Sequence, residues 1–286
     1  MRILFLGTGA SPSSPLPFCC CEFCRTSRMA GGKNFRKRSS LLINDDLLID
    51  LGPDVFSASS QYGILLDNVR ICLQTHPHGD HFDPEMIISR HPDYAAVIDN
   101  ELTIIASRES LMVMDSIISS RCGYGSIFDE VAQENYRIRL MPIAAYERIN
   151  YSGYAVRAYP ANHGTPDQGF MIYSIAQGGK SVLYATDTAE IFEEVWHKMR
   201  EYNECFDLII LDHTYGVGME SSDHLAMKGF AGHVRRFREE GMLKPDGSVY
   251  ATHISHERNY THSEFEAKAE ESGYRIAYDG LRLELE

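Results

Sequence analysis

The sequence predicts an α/β sandwich in preference to a doubly wound sheet. Short apolar runs of strand length recur from one end of the chain to the other. Helical patterns are interspersed among them without strict alternation of one strand and one helix. Turn signals such as Asn44-Asp45-Asp46 and Asp279-Gly280 separate neighbouring runs. The chain has 286 residues, 44% hydrophobic and 23% charged, the balance of a globular protein able to bury a core. No repeat or low-complexity tract divides it, so residues 1–286 are expected to form a single domain.

Strands are expected at Arg2–Leu6, Leu41–Ile43, Leu47–Ile49 and Val69–Thr75. Others follow at Thr103–Ala106, Tyr154–Tyr159, Phe170–Ile175, Ser181–Ala185, Leu208–Leu211 and Ser248–Ala251. Asn44-Asp45-Asp46 suits a tight turn between two of them. Tyr278-Asp279-Gly280-Leu281 suits a closing hairpin, because Asp-Gly fits a turn with positive φ. A helix over 189–202 places Ile191, Val195 and Met199 on one face, with Thr188 as its cap. A second over 222–240 buries Phe230, Val234 and Phe237, and a third over 263–272 opens on a Ser263/Glu266 capping box. Asp83-Pro84 reads as an N-cap and first helical residue, and 107–135 as helical with loops.

The net charge of −13 argues against a protein that grips a long polyanion. Lys33, Arg36, Lys37 and Arg38 form the one basic cluster, which reads as a solvated loop too small to offset that charge. Nucleic acid is therefore not the expected partner, whereas a small phosphate ester is compatible. The apolar run at the N-terminus is too short for a signal peptide or membrane span, and no other stretch approaches twenty apolar residues. A cytosolic protein without membrane contact is expected, so its cysteines read as thiols or metal ligands before disulfides. A homodimer is the common assembly for such a protein, and the sequence leaves this open.

The strand ending at Thr75 runs into His76-Pro77-His78-Gly79-Asp80-His81. In an extended segment His76 and His78 point the same way. Gly79 allows a bend that turns Asp80 and His81 toward the same pocket from the other side. One segment then serves two adjacent ions, and imidazole with carboxylate suits zinc, manganese or iron.

This His-x-His-x-Asp-His motif after a strand resembles the signature of the metallo-β-lactamase superfamily, and Ile49-Asp50-Leu51-Gly52 resembles its strand-end element. The resemblance implies an αββα fold: two facing mixed sheets flanked by helices, with metals at one edge. It also implies the remaining ligands: His163 after the strand 154–159, Asp187 after 181–185 and His253 after 248–251. By that pattern His76, His78, His163 and Asp187 hold the first ion. Asp80, His81, Asp187 and His253 hold the second, with Asp187 bridging. Taken singly, each late residue is as well read as a hydrogen-bonded histidine or a helix cap.

Cys19, Cys21 and Cys24 give a C-x-C-x-x-C loop over about 18–25, three thiolates short of one ligand for tetrahedral zinc. His256, three residues after His253, is the natural fourth; free or redox-active cysteines are the alternative. Cys20 is unassigned, and Cys72, Cys122 and Cys205 read as isolated structural thiols. With Gly7-Thr8-Gly9 and Arg36-Lys37-Arg38-Ser39, these motifs together resemble the phosphoribosyl 1,2-cyclic phosphate phosphodiesterases of carbon–phosphorus lyase pathways.

The resemblance implies hydrolysis of a small cyclic phosphate, 5-phosphoribosyl 1,2-cyclic phosphate or a 2′,3′-cyclic nucleotide. The expected nucleophile is a hydroxide bridging two catalytic divalent ions, manganese or zinc and less readily iron, beside one structural zinc. Asp80 is expected to take part in the reaction as well as to bind an ion. His224 is the expected general acid, His213 its weaker rival, and Asp212 a supporting residue. Alternatives are a tRNA endonuclease resembling ribonuclease Z, a lactonase or thioesterase of the same fold, and a non-catalytic binding protein of a biosynthetic pathway.

Overall fold

The computed structural model describes residues 1–286 except Pro12 and Ala96. In chain order the first half runs β1 (Arg2–Gly7), α1 (Glu22–Ala30), β2 (Ser40–Ile43), β3 (Leu47–Ile49), α2 (Val55–Tyr62) and β4 (Ile71–Leu73). It continues with α3 (Glu85–Ile88), β5 (Leu102–Ala106), α4 (Arg108–Arg121), α5 (Glu130–Tyr136) and β6 (Ile138–Pro142). The second half runs β7 (Arg148–Tyr151), β8 (Tyr154–Pro160), β9 (Met171–Gln177), β10 (Lys180–Ala185), α6 (Glu193–Glu201) and β11 (Phe206–Asp212). It closes with α7 (Met227–Glu239), β12 (Leu243–Thr252), α8 (His262–Glu271), β13 (Arg275–Ile276) and β14 (Arg282–Glu284).

The strands form two seven-stranded mixed sheets, in the orders β14-β1-β2-β3-β4-β5-β6 and β13-β12-β11-β10-β9-β8-β7. Alternation of side chains explains the layers. Ile3 and Phe5 of β1, with Leu41, Ile43, Ile49 and Leu73, pack against Val156, Tyr173, Ile175, Val182, Leu208 and Ile210 of the other sheet. Leu4, Leu6, Leu42 and Leu48 point outward onto a layer with Val55, Leu111, Met114 and Tyr136 from α2, α4 and α5. Trp196, Phe230, Val234, Phe237 and Phe265 cover the second sheet from α6, α7 and α8. Strands buried on both faces carry unbroken apolar runs, as in Leu208–Leu211.

The expected αββα sandwich is therefore the observed one, with local corrections. Residues 278–281 do turn, with Gly280 at φ +87°. They do not close a hairpin, because β13 pairs with β12 and β14 crosses over to pair with β1 in the other sheet. The first expected helix starts only at Glu193, so Thr188 caps nothing; its Oγ1 accepts from Asn162 N at 3.1 Å. The second starts at Met227, and the third begins one residue earlier, at His262, on a Thr261/Glu264 capping box in place of Ser263/Glu266. Pro84 precedes α3 as its cap residue, while Asp83 Oδ1 accepts from Glu85 N at 3.1 Å. β4 is shorter than the expected strand, and its last residues belong to the functional loop.

Candidate metal centre

Strands β4, β8, β10, β11 and β12 end at one edge of the sandwich, and the segments that leave them carry the polar residues predicted from the sequence. Asp50, Asp187 and His253 take φ of +66°, +52° and +57°, a left-handed geometry uncommon outside glycine, and all three are buried. The bend after His78 is closed by its carbonyl, which accepts from His81 N and Phe82 N at 2.9 and 2.8 Å. Gly79 is not what permits that bend: it lacks a positive φ, and a side chain there would meet open space. The glycine the loop needs is Gly52, where a Cβ would lie 2.7 Å from Asp80 O.

Every residue expected in the two ligand sets converges on this edge. The ligand atoms of His76, His78 and His163 lie within 4.8 Å of one another, as do those of Asp80, His81, Asp187 and His253. Asp187 stands between the groups. Its Oδ1 is 4.0 Å from His76 Nε2 and 3.9 Å from His163 Nε2. The same carboxylate is 2.9 Å from His81 Nε2 through Oδ2 and 3.3 Å from His253 Nε2 through Oδ1. His78 alone of these histidines is exposed. Phe170 lines one wall, its ring centroid 4.9 Å from that of His76 and 5.1 Å from that of His78.

The histidines are held by their second nitrogens. His81 Nδ1 lies 2.7 Å from Asp50 Oδ2, and a carboxylate only accepts, so the ring donates. His163 Nδ1 donates to Asp223 O at 2.9 Å. Thr75 Oγ1 gives its hydrogen to Asp50, so the 3.0 Å contact with His76 Nδ1 is a donation from the ring. In each case Nε2 is left as a lone pair facing the cluster. His76 Nε2 and Asp187 Oδ2 are buried without any hydrogen bond.

The charge balance tests whether divalent ions fit. Asp50, Asp80, Asp187 and Asp212 are 0%, 8%, 4% and 0% exposed. Among the described residues none of them has a lysine or arginine within ion-pair distance; their partners are histidines. Burial alone raises the Asp187 carboxyl, but His253, His81 and His76 outweigh it and hold the group well below the usual range. Asp80 is likewise ionised: burial is outweighed by His81 and His253. Burial holds His76 well below its usual value, in the neutral form a metal ligand requires. Burial would lower the His81 imidazole, but the carboxylates of Asp187, Asp50 and Asp80 raise it well above its usual value. Buried carboxylates faced by imidazole nitrogens, with no lysine or arginine partner among the described residues, suit a pair of divalent ions.

His224 lies before α7, beside the centre. Its Nδ1 donates to Asp212 Oδ2 at 2.9 Å, and its ring stacks on His253 at 5.2 Å. Burial would lower this imidazole, but the adjacent Asp212 carboxylate raises it to about 9. His213 is not a rival for the acid role. Strand alternation turns it away from Asp212 and into the core, between Phe230 and Phe265, with ring centroids at 4.9 and 4.6 Å.

A second group forms near the N-terminus. Cys19, Cys21, Cys24 and His256 have their ligand atoms within 4.8 Å of each other. Cys19 Sγ and Cys21 Sγ are 3.8 and 3.7 Å from His256 Nδ1. A tetrahedron with bonds of about 2.3 Å to sulfur and 2.0 Å to nitrogen has edges of roughly 3.5–3.8 Å, so the residues fit zinc. Cys20 is exposed and outside the group. Ile254 N donates to Thr8 O at 2.9 Å, binding the strand end that carries both His253 and His256 to the N-terminal segment.

The basic cluster is solvated only in part: Lys33 is exposed, but the arginines are engaged within the fold. Arg36 is buried and donates to Thr8 Oγ1 and Ala277 O at 2.8 and 2.6 Å. Arg38 is 3.5 Å from Asp54, Lys33 lies over the Tyr278 ring at 4.2 Å, and Lys37 bonds Gln61. Sequence reasoning missed Thr75, Thr214 and Phe170 at the centre. Thr75 and Thr214 each flank a predicted ligand or acid, which was the available signal; Phe170 carries none.

The beta-lactamase superfamily domain model matches residues 46–254. Ribonuclease Z of Staphylococcus carnosus (strain TM300) is 25% identical over 182 residues, 63% of this chain and 54% of that protein. The chain thus spans about half the length of this curated relative. A crystal structure of a diphosphatase from the PhnP family is similar with a TM-score of 0.73 at 22% identity, covering 99% of this chain and 97% of that one. Zinc-bound PqqB from Methylobacterium extorquens is similar at TM-score 0.73 and 18% identity, over 100% of both chains. These two likenesses speak for the fold. No helix among the described residues is long and apolar enough to cross a membrane. With the family match spanning most of the chain and the same histidine and aspartate motif at the sheet edge, the protein belongs to the beta-lactamase superfamily.

Proposed function

We propose that the chain is a phosphodiesterase with two divalent ions, acting on a small cyclic phosphate ester such as 5-phosphoribosyl 1,2-cyclic phosphate or a 2′,3′-cyclic nucleotide. The observation that carries this is Asp187, which faces both nitrogen clusters from between them. The chain is a metal-dependent hydrolase of its family. His76, His78, His163 and Asp187 would hold one ion; Asp80, His81, Asp187 and His253 the other. Zinc and manganese both suit that donor set, and zinc suits the cysteine group. When bound, such a pair supplies a water of lowered pKa and neutralises charge on phosphoryl oxygens.

The chain's own residues do the rest. Asp187 and Asp80 stay ionised and fix charge in the pocket. Phe170 keeps water from one wall. Asp212 holds the His224 Nδ1–H, so His224 presents Nε2 to the substrate and gives a proton to the departing alkoxide. A strained cyclic ester needs no second leaving group, so one such donor suffices.

The relatives' names, a diphosphatase and a ribonuclease, support cleavage at phosphorus. The ribonuclease relative favours a second reading, a tRNA endonuclease; the internally paired basic cluster speaks against it. Parallel assays on a cyclic phosphate and on precursor tRNA, with and without chelator, separate the two. Chelator-sensitive opening of the cyclic phosphate with intact tRNA is expected. Cleaved tRNA with an untouched cyclic phosphate would replace the first reading by the second.

A further inference from the structure

We infer that Thr214 is a positioning residue that fixes the metal-facing form of His253 and joins it to the Asp212–His224 pair. The inference rests on the metal reading of the centre. Thr214 follows β11 and is buried. Its Oγ1 lies 2.9 Å from Asp212 Oδ1, 2.8 Å from His253 Nδ1 and 3.2 Å from His224 Nδ1. A hydroxyl has one hydrogen to give, and a carboxylate can only accept, so that hydrogen goes to Asp212. His253 must then donate in the 2.8 Å contact. Its ring proton is placed on Nδ1, and Nε2 is left bare, 3.3 Å from Asp187 and 3.6 Å from Asp80. His224 Nδ1 is nearer Asp212 Oδ2, at 2.9 Å, and donates there.

The opposite sheet repeats this device. Thr75 gives both its N–H and its hydroxyl to Asp50 Oδ1, at 2.8 and 2.9 Å, as Thr214 does to Asp212 Oδ1, at 2.9 and 2.9 Å. Each hydroxyl faces the Nδ1 of one histidine, His76 or His253. Each carboxylate takes the Nδ1–H of another, His81 or His224, on its second oxygen. Both carboxylates are wholly buried. Two unrelated stretches of sequence converging on one hydrogen-bond pattern argue that the pattern serves the site.

Valine keeps the shape of threonine and cannot accept. In Thr214→Val the His253 Nδ1–H has no partner, and the ring is driven to the other tautomer or out of line. The metal-free full-length protein is titrated with Zn²⁺ alone against a competing chelator, and ring ¹⁵N spectra are recorded on the zinc-loaded protein. Thr214→Val is expected to weaken one zinc of the centre by about 10- to 100-fold. Thr214→Ser is expected to restore it, with the cysteine-site zinc unchanged in both. In the wild type, His253 is expected to carry its proton on Nδ1. Wild-type affinity in a folded Thr214→Val, or a wild-type His253 protonated on Nε2, overturns the inference; the second holds even if the valine variant does not fold. A wild type that binds zinc only at the cysteines would overturn the metal reading itself.

Discussion

The two candidate metal sites are built in opposite ways. At the sheet edge the donors come from four strand ends in two sheets. The imidazoles of His76, His81, His163 and His253 are each held at Nδ1 by Thr75, Asp50, the Asp223 carbonyl and Thr214. Near the N-terminus the three thiols sit on one loop and the first turn of α1, where Cys21 Sγ caps the helix by accepting from Cys24 N at 3.5 Å. Only His256 comes from the sheet. The fold therefore sets the geometry of the first group by itself, whereas at the second a bound ion would complete the local fold. On the proposed reading the first would be a site for chemistry, where donors must not move, and the second would fasten a loop to the strand end beside it.

That contrast can be broken most sharply at Asp187. Asp187→Asn removes the one carboxylate shared by both clusters, and phosphodiester hydrolysis is expected to fall by at least about 10³-fold. Steady-state assays at saturating metal check this; near-normal turnover would show that the clusters act separately. His224→Ala is expected to cost about 10²- to 10⁴-fold in turnover while metal content stays at the wild-type level. Unchanged turnover would remove His224 from the proposed proton transfer.

At the cysteine loop the expected effect is on stability. Cys24→Ser should lose one zinc and lower unfolding free energy by about 3 kcal/mol or more, with the paired centre still binding its ions. Cys20→Ser should change neither zinc content nor melting temperature, since Cys20 lies outside the group.

A smaller effect comes from pH. Burial, with Arg36 and Lys33 nearby, lowers the His262 imidazole to about 3. Arg36 donates to its Nδ1 at 3.1 Å, which requires the neutral ring. An unfolded histidine takes up its proton near 6.5, so this group's contribution is complete above that pH and fades as pH falls toward 3. Discounted for solvent screening, the full span is worth about 2 kcal/mol. His262→Asn keeps an acceptor for Arg36 and should flatten that part of the stability–pH curve, as chemical denaturation between pH 4 and 7 would show.

Much of the centre was legible because metal binding restricts residue type. His76, His78, Asp80 and His81 announce themselves by spacing, whereas His163, Asp187 and His253 were implied by the family resemblance, since singly each reads as well as a hydrogen-bonded histidine or a helix cap. Side-chain alternation also carries information: it places Asp212 and Thr214 on one side of the strand end and His213 on the other. Position alone made His213 look like an acid. The closing turn at 278–281 shows the opposite limit. Asp-Gly fixes a local bend, but whether the next strand returns to the same sheet depends on which edge is free. Here the free edge was β1, far away in sequence. Helix starts were misplaced for a related reason. Thr188 has capping chemistry, yet its hydroxyl is taken by Asn162 across the site.

The most direct test of the account is the metal content of the wild type beside Asp187→Asn and Cys24→Ser, by elemental analysis of protein purified without chelators. The account predicts about three ions per chain in the wild type, a full cysteine-site zinc but a depleted pair in Asp187→Asn, and an intact pair alone in Cys24→Ser. A wild type holding one zinc or none, and inactive toward cyclic phosphates after zinc or manganese is added, would contradict it and favour a protein that keeps the fold without the chemistry.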